Sequence, residues 1–242
     1  MQASPSSPDL SLVILCYRAG ASVRTFVAEA VRVFAEAGIK DYELILVGNY
    51  HPGIEDSTPG VVEELGRELP RVSSVALPKQ GMMGWDMRTG MAQARGEYIA
   101  VIDGDGQMPL IDVVRVYRAI KQHKADIVKT YRVKRGDRVW RTILSWCYNF
   151  AFAVLFPGFD SRDINAKPKI LSRAAYQRLD LRADDWFIDA EIMIQARRLK
   201  FSIREIPTVF MGLTGRRSFV RMPAVCEFIK NLIVYRVKEF FW

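Results

Sequence analysis

The chain has 242 residues, half of them hydrophobic and 26% charged, a balance that belongs to a folded core and excludes a disordered or low-complexity protein. That length suits one sizeable α/β domain and does not require a second. A formal net charge of +8 favours anionic partners, and by itself leaves nucleic acid, phosphorylated metabolites and a membrane leaflet all open.

Cys16, Cys147 and Cys226 are widely spaced, odd in number and set in apolar runs. They read as buried thiols in a reducing, cytoplasmic compartment, and not as a disulfide framework or a zinc site. Residues 1–9 lack the basic and apolar regions of a signal peptide and are expected to form a short disordered leader. No run reaches the roughly 18 to 20 apolar residues of a spanning helix, although two segments come near it.

In chain order, SLVILCY (11–17) is an apolar run of strand length, residues 19–38 carry apolar side chains at helical spacing, and YELILVG (42–48) is a second strand. The rhythm continues with a helix near 58–69, a strand at 72–77, a helix near 84–95, a strand at 97–103, a helix after Pro109 and a strand at 125–133. Strands buried on both faces and alternating with helices predict a mostly parallel central sheet flanked by helices, with ligands at the carboxyl ends of the strands. Beyond that point the rhythm breaks. Residues 141–159 form an aromatic-rich stretch of helix length, 185–200 a helix, 201–210 a strand, and the tail ends in FIKNLIVYRVKEFFW.

The most informative stretch is VIDGDGQMP (101–109). Asp103, Asp105 and Gln107 alternate, so in an extended segment they project to one side, with Gly104 and Gly106 leaving room for close approach. Hard oxygen donors of this kind suit Mg2+ or Mn2+ with positions open for substrate phosphates, whereas zinc prefers His or Cys, and the only histidines are His51 and His123. The competing structural reading makes the aspartates turn formers or helix caps. Pro109 speaks against capping, because Pro at the first helical position makes Met108 the N-cap. A haloacid dehalogenase-type phosphatase also has Asp-x-Asp at a strand end, but after its first strand and not its fourth.

SLVILCY, ELILVG, KQGMMGWDMRTGMAQARGEYIAVIDGDGQMP, RDINAKPK, FIDAEIMIQA and GRRSF occur in the order found in family 2 glycosyltransferases of the GT-A fold. Over roughly residues 10–220 the chain resembles the dolichyl-phosphate mannosyltransferase-like, polyprenyl-phosphate branch of that family. The resemblance implies a single GT-A (Rossmann-like) domain over 10–220, a C-terminal amphipathic tail over 221–242, and a transferase that takes sugar from a nucleotide diphosphate sugar. It implies a metal held by Asp103, Asp105 and Gln107, with Asp105 catalytic and Asp103 also at the nucleotide sugar. Lys79 and Arg88 are expected to add positive charge there, although a solvated helix face explains them equally well. Tyr17 and Asn49 are expected along the base and ribose, in a chain whose Tyr17-Arg18-Ala19 and Gly48-Asn49-Tyr50 depart from the family's Tyr-Asn-Glu and Asp-Asp-Gly-Ser.

For the acceptor, the segment KTYRVKRGDRVWR (129–141) has six cations and one acid. The resemblance puts acceptor-phosphate contacts at Arg132, Arg138 and Arg141, at Arg216, Arg217 and Ser218 of GRRSF, and at Lys167, with Asp163 and Asn165 on the same rim. The stretches 141–159 and 228–242 pair aromatics with Arg and Lys as interfacial amphipathic helices do, ordinary core or a dimer surface being the alternative. A lipid phosphate acceptor accounts for both the cations and the greasy flanks. Asp189 lies where relatives that use a hydroxyl acceptor keep their base, and Glu191 is expected to orient nearby cations.

The expectation is a metal-dependent, inverting glycosyltransferase on the cytoplasmic face of the membrane, using Mg2+ or Mn2+ and a polyprenyl phosphate. The alternatives are transfer to a lipid or glycan hydroxyl with Asp189 as base, and a basic membrane- or nucleic-acid-binding module without catalysis. Nucleic acid is disfavoured because the cations flank apolar helices without a recognition motif. A homo-oligomer is left open.

Overall fold

The computed structural model describes residues 7–135, 150–158, 161–211 and 230–237. The strands are β1 (Leu10–Leu15), β2 (Tyr42–Val47), β3 (Val72–Val75), β4 (Tyr98–Asp103), β5 (Ile127–Arg135), β6 (Lys169–Ser172) and β7 (Ile203–Phe210). The helices are α1 (Ser22–Glu36), α2 (Thr58–Glu68), α3 (Met83–Gln93), α4 (Ile111–His123), the short α5 (Arg173–Gln177) and α6 (Ile188–Arg198). Residues 150–155 and 230–237 add helical segments.

The apolar strands build two cores because their side chains alternate across the sheet. From β1, Leu10, Leu12 and Ile14 pack on one face with Leu44 and Leu46 of β2 and the inner sides of α1, α2 and α4. Val13 and Leu15 point the other way, with Ile45 and Val47, onto Met87 and Met91 of α3, Ile188 and Ile192 of α6, Phe152, Phe156 and Leu232. Strands β1 and β2, buried at every position, are therefore covered on both sides, as their apolar runs predict.

The seven strands lie in the order β3-β2-β1-β4-β6-β5-β7. Pairing is parallel between β1 and β2, β1 and β4, β2 and β3, and β5 and β7; only β6 runs against its neighbours β4 and β5. Strand order reverses between β1 and β4, so their carboxyl ends, where Leu15 is paired with Asp103, form the crevice in which such sheets bind ligands.

Three expectations need adjustment. The antiparallel β6 was not foreseen: four residues following Lys167-Pro168 are too short to register as a strand. The fold begins ahead of Leu10, since Pro8 and Asp9 accept the Glu97 and Tyr98 amides and the Asp9 carboxylate accepts from Tyr117 and Lys121. Helix α4 starts at Ile111 with Leu110 as its N-cap, so Met108 does not cap it; the Pro109 and Leu110 carbonyls accept the Asp112 and Val113 amides in a turn before the helix.

Candidate active site

Asp103 closes β4 with its side chain 39% exposed, and the chain then turns away from the sheet. Gly104 donates to the Leu15 carbonyl, which anchors the turn on β1, and Gly106 takes φ 73°, a left-handed conformation costly for a residue with a β-carbon. Asp103, Asp105 and Gln107 thus share a tight turn, not the extended segment that their alternation suggested. Asp105 Oδ1 accepts the Gln107 amide at 3.0 Å, so the turn-forming reading is correct for this oxygen. The Gln107 carbonyl accepts from Met211, tying the turn to the end of β7.

Beside this turn lies a chain of buried charge. Because β6 is antiparallel with Val101 facing Lys169, continuing the ladder by two residues brings Asp103 to Lys167. The Lys167 ammonium is 3.3 Å from Asp103 Oδ1 and 3.3 Å from Asp189 Oδ2. Lys169 reaches Asp189 Oδ1 at 2.6 Å and the Ile164 carbonyl at 3.3 Å. Across the sheet Lys129 faces Lys169 on one side and Glu205 on the other, and it donates to Glu205, 2.9 Å away, and to the carbonyls of Thr130 and Asp163. Burial favours the neutral acid, yet two ammonium groups outweigh it and hold Asp189 below the usual carboxylate range. Burial, with Lys129 adding to it, pulls Lys169 down to about 8 against the attraction of its single carboxylate partner.

This chain reassigns several expected residues. Asp189 is fully buried, with one oxygen bonded to Lys169 and the other facing Lys167, which is the setting of a counter-ion. Glu191 is likewise engaged within the protein. Its oxygens accept the Arg182 and Ala183 amides and the Tyr235 hydroxyl, fixing the loop that leads into α6. Lys167 is turned inward to the carboxylates and not out to the acceptor rim. Arg132 meets Asp163 through two hydrogen bonds of 2.6 and 2.8 Å, so its guanidinium is already engaged.

On the donor side, Tyr17 follows β1 and stands edge-on to His51 with ring centroids 6.2 Å apart. Lys79 lies over the Tyr17 ring at 4.2 Å and pairs with Asp86, its side chain only 1% exposed, so it is not a solvated cation. Asn49, expected on the nucleotide, is a frame residue: its amide donates to Asp86 and Thr89 at 3.0 Å and accepts from Leu77 at 2.9 Å. Burial outweighs these partners and raises the Asp86 carboxyl. Arg88 is paired with Asp184 and donates to the Arg182 carbonyl. The same loop accepts the Met82, Gly84 and Trp85 amides at the start of α3, so closely that a β-carbon on Gly84 would come within 2.3 Å of the Ala183 carbonyl. Arg138, Arg141, Arg216, Arg217 and Ser218 lie outside the described residues.

The family model described as glycosyl transferase family 2 matches residues 11–183, from β1 through the acidic turn to the loop before α6. The chain belongs to that family. A dolichyl-phosphate beta-glucosyltransferase of Trichomonas vaginalis is 23% identical to this family 2 glycosyltransferase over 249 residues, spanning 96% of this chain and 76% of the relative. A dodecaprenyl-phosphate galacturonate synthase of Rhizobium johnstonii is 31% identical over 146 residues, 60% of this chain and 42% of that one. Glucosyl-3-phosphoglycerate synthase of Mycobacterium tuberculosis, whose crystal structure holds Mn2+, UDP-glucose and phosphoglyceric acid, superposes with a TM-score of 0.65 at 16% identity, covering 95% of this chain and 79% of that one. The expected GT-A fold and the expected family are both borne out.

The residues present fit a divalent ion of the kind expected. Asp103, Asp105 and Gln107 are hard oxygen donors, partly accessible on one turn at the strand-order reversal. Among the described residues no group of three or more His, Cys, Asp or Glu side chains is arranged to hold a metal, so a carboxylate pair of this sort needs substrate oxygens to complete a coordination shell. Asn165 Oδ1 and Trp85 Nε1 are shut away from solvent without a hydrogen-bond partner among the described residues.

Proposed function

We propose that this glycosyltransferase moves a sugar, with inversion, from a nucleotide diphosphate sugar to a polyprenyl phosphate at the cytoplasmic surface of a membrane. The observation that carries the choice of acceptor is the burial of Asp189 between Lys167 and Lys169, which removes the expected base. A hydroxyl acceptor needs a base, whereas a phosphate monoester is already anionic near neutral pH, its second pKa being about 6. Similarity over nearly the whole chain to a dolichyl-phosphate glucosyltransferase supports the same choice.

In this reading Asp103, Asp105 and Gln107 hold Mg2+ or Mn2+, which supplies Lewis-acid stabilisation to the departing nucleoside diphosphate. The Asp105–Gln107 turn presets the donors before substrate arrives. Tyr17, braced by Lys79, presents its ring toward the nucleotide. An acceptor phosphate oxygen forms the new bond to the anomeric carbon as the bond to the diphosphate breaks, its electron pair leaving with the nucleotide; no proton has to be removed.

Among the described residues no helix is long and apolar enough to cross a membrane. Contact with a bilayer is supported by the helical segments 150–155 and 230–237, which bury Phe152 and Leu232 while exposing Phe150, Val154, Ile233 and Val237. The test is to incubate the protein with UDP- and GDP-sugars, Mn2+ and short polyprenyl phosphates, with mass spectrometry of the lipid product. Glycosyl polyprenyl phosphate is expected from wild type and not from Asp105→Asn. Sugar on a hydroxyl lipid alone, or full activity in the variant, contradicts the reading.

A further inference from the structure

Granted the donor site proposed above, Lys167 has a second place to act. Asp189 already has a partner in Lys169 at 2.6 Å. The Lys167 ammonium instead sits between that buried carboxylate and the accessible Asp103, 3.3 Å from Oδ1 and 3.5 Å from Oδ2, with the Met83 sulfur at 3.0 Å. Its side chain is 3% exposed, so water does not screen it. A charge in such a dry place acts on neighbours within about 4–6 Å without touching them.

The local charges are Asp103, Asp105 and Asp189 against Lys167 and Lys169. Most of the carboxylate charge a divalent ion would meet is already balanced by the protein. An ammonium against Asp103 repels an ion on the same carboxylate, and attracts the diphosphate which that ion grips. We propose that Lys167 is a resident cation of the donor site: it shares neutralisation of the nucleoside diphosphate with the metal ion, so that the nucleotide binds measurably without divalent metal, and it makes the site less avid for the ion. It is a positioning residue, acting through Asp103.

The test measures binding, not turnover, by calorimetric titration of UDP and of GDP into the full chain, in EDTA and over a series of Mn2+ concentrations. Wild type is expected to bind one of the two in EDTA. Lys167→Met keeps the length and thioether packing but not the charge; it should lose about tenfold or more of the metal-free affinity, the size expected of one charge at this range. It should also need less Mn2+ for half-saturation, and Lys167→Arg should restore the wild-type pattern on both counts. If removing Lys167 leaves Asp189 too exposed to fold, Lys167→Met with Asp189→Asn carries the same comparison. Unchanged EDTA binding and an unchanged Mn2+ requirement in the methionine variant would make Lys167 a structural counter-ion and overturn the proposal. Wild type that binds with Mn2+ but not in EDTA defeats this proposal alone, whereas wild type that binds neither nucleotide under any condition defeats the donor-site reading beneath it.

Discussion

The two halves of the central sheet are held together differently. In β3-β2-β1 the one charged side chain is Glu43, answered by Ser11 and Arg95 near the start of β2, and Leu12, Ile14, Leu44, Ile45 and Leu46 are sealed between helices on both sides. In β6-β5-β7 the middle of the sheet instead buries Lys129 and Lys169, answered by Glu205 and Asp189, with Lys167 leading the row out to Asp103. The first half is a scaffold whose energy comes from burial, and the second is an electrostatic frame that ends at the proposed donor site. Cations close to such a site need not touch substrate; in the proposed reading they set the position and field of Asp103.

This contrast can be broken by substitution. Asp189→Leu leaves Lys169 buried without its partner and should cost about 3–5 kcal/mol by urea unfolding, whereas adding Lys169→Met should recover most of that loss. A core truncation in the other half, Leu44→Ala, should cost about 2–5 kcal/mol, with no neighbouring substitution that rescues it in the same way. If the Asp189 and Lys169 changes simply add, the frame is not electrostatic.

Acid sharpens the same comparison. Asp189 is held below its ordinary value of 3.8, its lysines overcoming burial, and Glu43 below its 4.5 by Ser11 and Arg95, again against burial. Below those ordinary values the unfolded chain binds more protons than the folded one, so stability present at pH 6 is lost as pH falls through that range and beneath it. The urea midpoint should therefore be lower at pH 3 than at pH 6, and the drop should be smaller in the Asp189→Leu, Lys169→Met double variant. At the small end, Arg32→Ala removes an exposed pair with Glu36 on α1 and should change stability by about 0.5 kcal/mol or less. A larger change would mean that surface pairs matter here as much as buried ones.

The scaffold was legible in the sequence for a physical reason. An unbroken apolar run such as 12–15 in β1 or 44–47 in β2 declares a strand covered on both faces, and the helical spacing of Val23, Phe26, Val27 and Ala30 declares the inner side of α1. The acidic turn was legible too, because Asp-Gly-Asp-Gly-Gln after a strand has few uses. What escaped was pairing across the chain. Lys129 and Lys167 read as members of a basic rim, and the antiparallel register of β6 turns them, with Lys169, inward. A lysine followed by Ile-Leu, two residues after another lysine, was the available signal. Nothing local announces either that Asp86, on a helix, bonds both Asn49 and Lys79.

In the proposed reading the turn carrying Asp103, Asp105 and Gln107 grips the donor diphosphate through a divalent ion. This is tested most directly by titrating UDP and GDP at saturating Mn2+ into wild type and Asp105→Asn, with folding of both checked by circular dichroism. One nucleotide should bind wild type, and the folded variant should lose about 100-fold or more of that affinity, as expected when a charged metal ligand is removed. Equal binding by the two folded proteins would contradict the account.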